Sequence, residues 1–158
     1  MAGSFDQEAI VALMAAVKTI PAKTGSWRSN VQFHEPIAAP TALPALALWI
    51  GPIEPIGAVS GLAEASGRVT VMGRIYVANA QVADDKIEQQ VLTLMSALLG
   101  AFAGAFTLGG EAMCVDLLGA YGQKLTATPA FIPHDGATYR GAEVTVPIII
   151  DPLWTEAP

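Results

Sequence analysis

The residues of this chain that could carry chemistry are few and far apart. His34 and His134 have no cysteine or carboxylate at the spacing of a metal-binding motif. The single cysteine, Cys114, lies between Met113 and Val115 in a predicted strand, which favours a buried and unreactive thiol. These residues predict neither a metal site nor a disulfide.

Two glycine-containing stretches approach known catalytic motifs without matching them. Ser60 lies in Gly57–Gly61, but the glycines are misplaced for the nucleophile elbow of a hydrolase. The stretch from Gly61 to Gly67 has one residue too many for a phosphate-binding loop, and Arg68 stands where that loop has lysine. Neither stretch predicts a nucleophile or a nucleotide site.

Three neighbouring acids, Asp84, Asp85 and Glu88, are better interpreted as caps of a helix than as an acid–base pair. Carboxylates at this end of a helix also interact favourably with its dipole. The sequence therefore predicts no catalytic residue and no cofactor, and a protein that is not an enzyme.

The composition favours assembly with other subunits. Hydrophobic residues make up 53% of the 158 residues and charged residues 14%, whereas soluble domains have about 45–50% and about 25%. A chain of this length fits one domain, residues 1–158. The low charge predicts that part of the surface is covered by other subunits.

Charge argues against binding of DNA through a basic patch. The formal net charge is −6, and lysine and arginine form no cluster. An acidic surface could still line a passage for DNA, because it repels phosphate.

No membrane association is predicted. The first residues lack the basic region of a signal peptide. Four prolines interrupt the charge-free run at 36–53, and the apolar run from Val91 to Phe106 is shorter than the ~20 residues of a spanning helix.

Two helices are predicted. Ser4 followed by Gln7 matches a capping box, and helical spacing of apolar residues continues toward Pro21, which predicts a first helix over residues 5–19. A second helix begins at Asp85 and runs to about Phe106.

The second helix has two stripes without charge. One is strongly apolar and consists of Ile87, Val91, Leu94, Met95, Leu98 and Phe102. The other is small or polar and consists of Gln89, Thr93, Ser96, Gly100, Ala103 and Thr107. Since a surface helix normally carries Lys and Glu there, we predict contact with another subunit through Ser96, Gly100 and Ala103. A helix buried within its own fold is the alternative.

Strands are predicted mainly in the second half. Residues 68–77 alternate as in a half-buried strand, and further strands are expected at about 112–119, 124–132 and 138–150, with a hairpin turn at Asp135–Gly136. Pro147 predicts an edge or a bulge in the last strand.

Residues 20–67 are predicted to be irregular, because six of the 11 prolines lie between 21 and 55 and periodicity is weak outside Ala45–Ile50 and Val31–Phe33. A long ordered segment of this kind is typical of an arm on a neighbour. Trp27 and Trp49 lie in it and Trp154 lies near the end of the chain; each is a candidate interface anchor, although coverage of the domain's own core is the simpler interpretation for Trp27 and Trp49.

The predicted fold is therefore α+β, with two main helices on a mixed or antiparallel sheet of about four to five strands. Within it, three segments occur in a familiar order: Phe106–Gly110, Val115–Gly122 and Val144–Trp154. Together with the hairpin between the last two, they resemble the tail terminator proteins of long-tailed actinobacteriophages. The resemblance covers residues 68–156.

The resemblance implies an α+β subunit that assembles as a six-membered ring in the virion, after synthesis in the host cytoplasm. Such a ring caps the tail tube, stops its growth and joins it to a head-completion protein, while DNA passes through the lumen.

Two alternatives remain open. The nearest is another head–tail connector ring, such as a head-closure or adaptor protein. The second is a small cytosolic enzyme or ligand-binding domain, which a pocket with convergent polar groups would favour.

Overall fold

The structure, a computed structural model, describes residues 3–27, 30–57, 63–80 and 85–155. In these ranges the chain forms two α-helices and a seven-stranded mixed sheet, which confirms the α+β prediction. The sheet has more strands than the four to five expected. No helix among the described residues is both long and apolar enough to cross a membrane.

The helices are α1 (Gln7–Val17) and α2 (Lys86–Gly104), and short 3₁₀ helices lie at Pro21–Lys23 and Leu108–Gly110. The strands are β1 (Ser4–Phe5), β2 (Val31–Gln32), β3 (Ala45–Ile56), β4 (Glu64–Asn79), β5 (Cys114–Val115), β6 (Thr126–His134) and β7 (Ala137–Thr155).

Strand β7 is the centre of the sheet. One edge pairs antiparallel with β4 from Asn79↔Tyr139 to Glu64↔Thr155. The other edge pairs successively with β6, β5 and β1. Beyond β4 follow β3, which is antiparallel to it, and β2, which is parallel to β3. The predicted hairpin is confirmed: Asp135 and Gly136 have φ of +49° and +77°, as a two-residue turn between twisted strands requires.

Pro147 lies neither at a sheet edge nor in a bulge, so both expectations for it were wrong. It pairs with Thr70 of β4, and its carbonyl accepts a hydrogen bond from Asp116 N at 2.9 Å on the opposite side. Its nitrogen points to that same side, between the last β6 pair at Thr145 and the first β5 pair at Ile148. Proline fits here because this position in the ladder needs no N–H donor.

Both helices pack on one face of the sheet and form the main core. From β4 this face contributes Val69, Val71, Ile75 and Val77, as the alternation predicted. The opposite face was expected to be open, yet Thr70 and Tyr76 are each only 2% exposed. Loops cover them, because Gln123 lies beside Thr70 and the segment from Pro36 to Pro40 lies beside Tyr76.

The first helix starts differently from the prediction. Its N-cap is Asp6, whose Oδ1 accepts a hydrogen bond from Ala9 N at 2.9 Å. The predicted cap, Ser4, instead pairs with Thr155 in the sheet. The pairing with β7 is a long-range contact that outweighs the local capping-box pattern.

The second helix covers residues 86–104 rather than 85–106. Asp85 is at its N-cap position without a side-chain capping bond, and Asp84 lies outside the described residues. Glu88 binds Arg140 of β7 instead of closing a capping box, at 2.8 and 3.0 Å.

The segment predicted to be irregular contains the whole of β3 and the first four residues of β4. Residues 33–44 lack regular structure, but β3 pairs antiparallel with β4 from Ala45↔Tyr76 to Ile56↔Ser66. Pro52 falls in the register shift between Ile50 and Ile53. Proline is tolerated there because no described strand pairs with the outer side of β3 after Ala47, so a missing N–H leaves no hydrogen bond unmade.

Gly141 should be essential to this fold. A Cβ at this position would collide with the carbonyl oxygen of Ile75, so we expect Gly141→Ala to lower the free energy of unfolding by at least ~2 kcal/mol. At Gly100 a Cβ would meet nothing within 4 Å, and Gly100→Ala should raise it by ~0.5–1 kcal/mol through helix propensity. Urea denaturation measures both; a Gly141→Ala protein as stable as wild type would contradict the close approach of β4 and β7.

Candidate functional site

The residues considered for chemistry remain apart in the fold. His34 is exposed, and its Nδ1 lies 3.1 Å from the carbonyl of Glu35. His134 packs against Tyr76, with ring centroids 6.4 Å apart. Burial, and to a smaller extent the charge of Asp116, raises the pKa of the Cys114 thiol. No group of three or more His, Cys, Asp or Glu in the described ranges could hold a metal ion. Ser60 and Gly61 lie outside those ranges.

Glu88 forms an ion pair on the surface. Arg140 donates two hydrogen bonds to its carboxylate, and these hold the pKa of Glu88 below its ordinary value. The same guanidinium lies 4.5 Å from the ring centroid of Phe131. The pair therefore connects the start of α2 to the β6–β7 hairpin.

The most extensive candidate surface is the outer side of α2. Its apolar stripe is buried as predicted, and Leu98 and Phe102 are each 0% exposed. The second stripe faces solvent, so the alternative of a helix buried on all sides is wrong. We call this exposed stripe the neutral face; it consists of Gln89, Thr93, Ser96, Gly100, Ala103 and Thr107.

Large apolar side chains accompany the neutral face. Leu92 of α2 is 64% exposed and Phe106, just beyond the helix, is 46% exposed. A Cβ at Gly100 or Gly104 would meet no atom within 4 Å. Another molecule could therefore approach the helix backbone closely at these glycines.

The three candidate tryptophans have different environments. Trp27 is 2% exposed and belongs to the main core, so the prediction that it anchors an interface is wrong. Trp49 is half-buried on the face of the sheet opposite the helices, where its ring centroid lies 5.3 Å from the guanidinium of Arg74. Trp154 is half-buried against Phe5 of β1 at 5.4 Å.

A rigid loop follows β5. Asp116 is 3% exposed, and its carboxylate accepts hydrogen bonds from the backbone N–H groups of Gly119, Ala120 and Tyr121 at 2.9–3.0 Å. Arg68 donates to the carbonyl of Tyr121 at 2.6 Å. The loop projects Leu118, which is 90% exposed. The pattern Asp-Leu-Leu-Gly carries the signal for such a turn, but sequence reasoning did not assign this role to Asp116.

An apolar groove separates α1 from β3. Its volume is about 540 Å³, and its lining includes Phe5, Val11 and Met14 on one side and Ile50 and Ile53 on the other, with Lys18 also in the lining. Val11 is 63% exposed and Ile50 is 42% exposed. Sequence reasoning missed this α1–β3 groove because its two walls come from distant parts of the chain.

A second groove, of about 480 Å³, lies beside the neutral face between α2 and Val77. Its polar side chains, Gln89, Gln90, Thr93 and Lys86, all belong to α2. Polar groups from a single helix do not converge on a ligand from several directions, as those of a specific small-molecule site do.

A scan against models of protein families finds no match for this chain, and a search of curated proteins finds none either.

Asp116 should stabilise the loop that projects Leu118. Asp116→Asn keeps the size of the side chain but puts an NH₂ group next to backbone N–H donors, so we expect a loss of about 2 kcal/mol in unfolding free energy. Glu143→Gln is the control, since Glu143 is 60% exposed and 3.9 Å from Arg74, and it should cost less than about 0.5 kcal/mol. Equal urea midpoints for the two variants would show that the Asp116 hydrogen bonds contribute little.

Proposed function

We propose that this protein is a tail terminator: a homo-oligomeric ring, most simply a hexamer, that caps the tube of a phage tail and joins it to a head-completion protein. The observation that carries the proposal is the neutral face of α2, which is exposed and has no charged residue. The order of segments in residues 68–156 supports the same function through its resemblance to that family.

The neutral face is suited to contact with another subunit. Exposed apolar surface such as that of Leu92 and Phe106 gains about 25 cal/mol for each Å² removed from water. No charged group on the face would have to be desolvated, which is a large cost in many interfaces. Small side chains at Ser96, Gly100 and Ala103 allow a second subunit to pack close to the helix.

A terminator also needs two different faces, one for the tube and one for the head-side protein. The subunit has unlike sides, because both helices lie on one face of the sheet while the other carries Trp49, Arg74 and Met72 near its centre. In a cyclic ring with head-to-tail packing, all subunits point the same way, so the two faces of the ring differ as the two sides of the subunit do. A face unlike that of a tube subunit would stop further growth by mismatch.

Passage of DNA is compatible with the charge of the chain. With a net charge of −6 per subunit, a ring would repel phosphate rather than bind it. We expect no salt-sensitive binding of double-stranded DNA at physiological ionic strength, as measured by fluorescence anisotropy. Tight binding that weakens steeply with added salt would contradict an acidic, non-adhering passage.

Deletion of the gene tests the function directly. Phage particles without this protein should make tails of uncontrolled and often excessive length that do not join DNA-filled heads, because nothing caps the tube. Electron microscopy of lysates measures tail length and attachment. Tails of normal length that remain unattached would instead favour a head-closure or adaptor protein, and normal tails joined to heads would exclude both.

Substitutions on the neutral face separate assembly from folding. Neither Gly100→Leu nor Ser96→Leu should lower the melting temperature of the isolated subunit, since both positions are exposed, and the higher helix propensity of leucine should raise it for Gly100→Leu. Both should weaken ring formation, because the added side chains prevent close approach of the neighbouring subunit.

The matched control for these variants is Glu8→Leu, which adds an exposed leucine on α1, away from the neutral face. Native mass spectrometry and tail-capping assays measure the result. If rings form normally with leucine at position 96 and at position 100, the neutral face is not the ring interface.

A further inference from the structure

The α1–β3 groove lies beside an open strand edge. Strand β2 pairs with β3 only at Leu46 and Ala47, so no described strand covers the outer edge of β3 from Leu48 to Ile53. Leu46 donates its N–H outward to Asn30 at 3.1 Å, and alternation directs the N–H groups of Leu48 and Ile50 to the same side. The groove thus combines apolar walls with backbone groups that an extended segment could bind.

Lys18 defines the charge of this site. Of the described residues that line the groove, it alone has a titratable side chain, and its ammonium lies 5.7 Å from the ring centroid of Phe33. The complementary ligand is an extended segment with one large aliphatic side chain for the groove and one carboxylate for Lys18.

The chain itself contains such a segment. In the irregular stretch before β3, Glu35 is exposed and Ile37 is 87% exposed, two residues further on. Pro36 lies between them and Pro40 follows, so the segment has little conformational entropy to lose on binding. Burial of the Ile37 side chain in such a groove would remove its apolar surface from water and favour binding.

In its own subunit the segment does not occupy the groove, since none of residues 33–44 belongs to the groove lining. Ala39 N donates to Asp135 Oδ2 at 2.8 Å, and the side chain of Asn30 donates to the carbonyls of Ala42 and Pro44. These bonds hold the stretch beside Tyr76 while Ile37 stays in solvent. Ile37 is therefore available to the groove of a second molecule.

We propose that residues 35–37 of one copy bind the α1–β3 groove of a second copy, with Ile37 between Val11 and Ile53 and Glu35 paired with Lys18. This contact rests on the proposed ring and specifies one part of the interface between its subunits. It also gives residues 33–44 the role of a short arm.

Charge reversal tests the pairing of Glu35 with Lys18. Lys18→Glu and Glu35→Lys should each weaken self-association about three- to tenfold, because each places like charges together. The double variant should recover wild-type association within about twofold. Sedimentation velocity over a concentration series, with purified tail tubes added where tube ends are needed for closure, measures association. Glu111→Lys is the control for net charge, since Glu111 is exposed outside the groove.

A second pair of variants tests the apolar contact. Ile37→Ser should weaken association about tenfold or more, because an aliphatic side chain loses its burial in the groove. Leu118→Ser is the matched control: Leu118 is exposed to a similar degree on another loop, and its loss should change association less than twofold.

The outcomes separate this contact from the ring. Rings that form equally well in all variants would overturn the contact and leave the terminator proposal standing. An effect of Leu118→Ser alone would also overturn the contact and place self-association at the Asp116 loop instead. A two-fold dimer with full charge rescue would support the contact and overturn the ring. A chain that stays monomeric at every concentration, with tube ends present, would overturn both.

Discussion

The antiparallel ladder between β4 and β7 is the constraint on which the other elements depend. It extends from Asn79↔Tyr139 to Glu64↔Thr155, and its unbroken register from Gly67↔Ile150 to Tyr76↔Gly141 fixes the alternation of both strands there. Alternation sends Val69, Val71, Val146 and Ile148 to the face where both helices pack. It also leaves no room for a side chain at Gly141, where the two backbones are closest.

The edge of β7 that faces away from β4 pairs successively with β6, β5 and β1, and this arrangement explains several local features. The change from β6 to β5 falls at Pro147, which has no N–H to leave unpaired. The connection after β5 then crosses the far face of the sheet, where the Asp116 carboxylate and Arg68 hold its backbone. If one strand paired with the whole of this edge of β7, the loop that projects Leu118 would not be needed.

Several patterns within one element predict the structure correctly, whereas pairings between distant segments were not predicted. The apolar stripe of α2 and the Asp135–Gly136 turn follow from local spacing. Ser4 matches a capping box, yet it pairs in the sheet with Thr155, which lies 151 residues further along the chain. The prolines of residues 20–67 concealed the second half of β3, beyond the periodic stretch Ala45–Ile50, and nothing local indicated that Val11 faces Ile53 across a groove. The absence of charge identifies the small stripe of α2, but its exposure to solvent follows only from where the sheet packs against the helix.

The scarcity of charge has a consequence for assembly. An uncharged helix face with glycine and serine can pack against a neighbour through shape and apolar burial, but such contacts distinguish poorly between adjacent registers. A ring needs one register, because a small error in rotation repeated around the ring prevents closure. In the proposed assembly, an ion pair between Lys18 and Glu35 at the edge of an apolar contact would supply this discrimination, since wrong registers leave a charge unpaired. A chain with few charges can therefore specify its assembly through the position of one pair rather than through many.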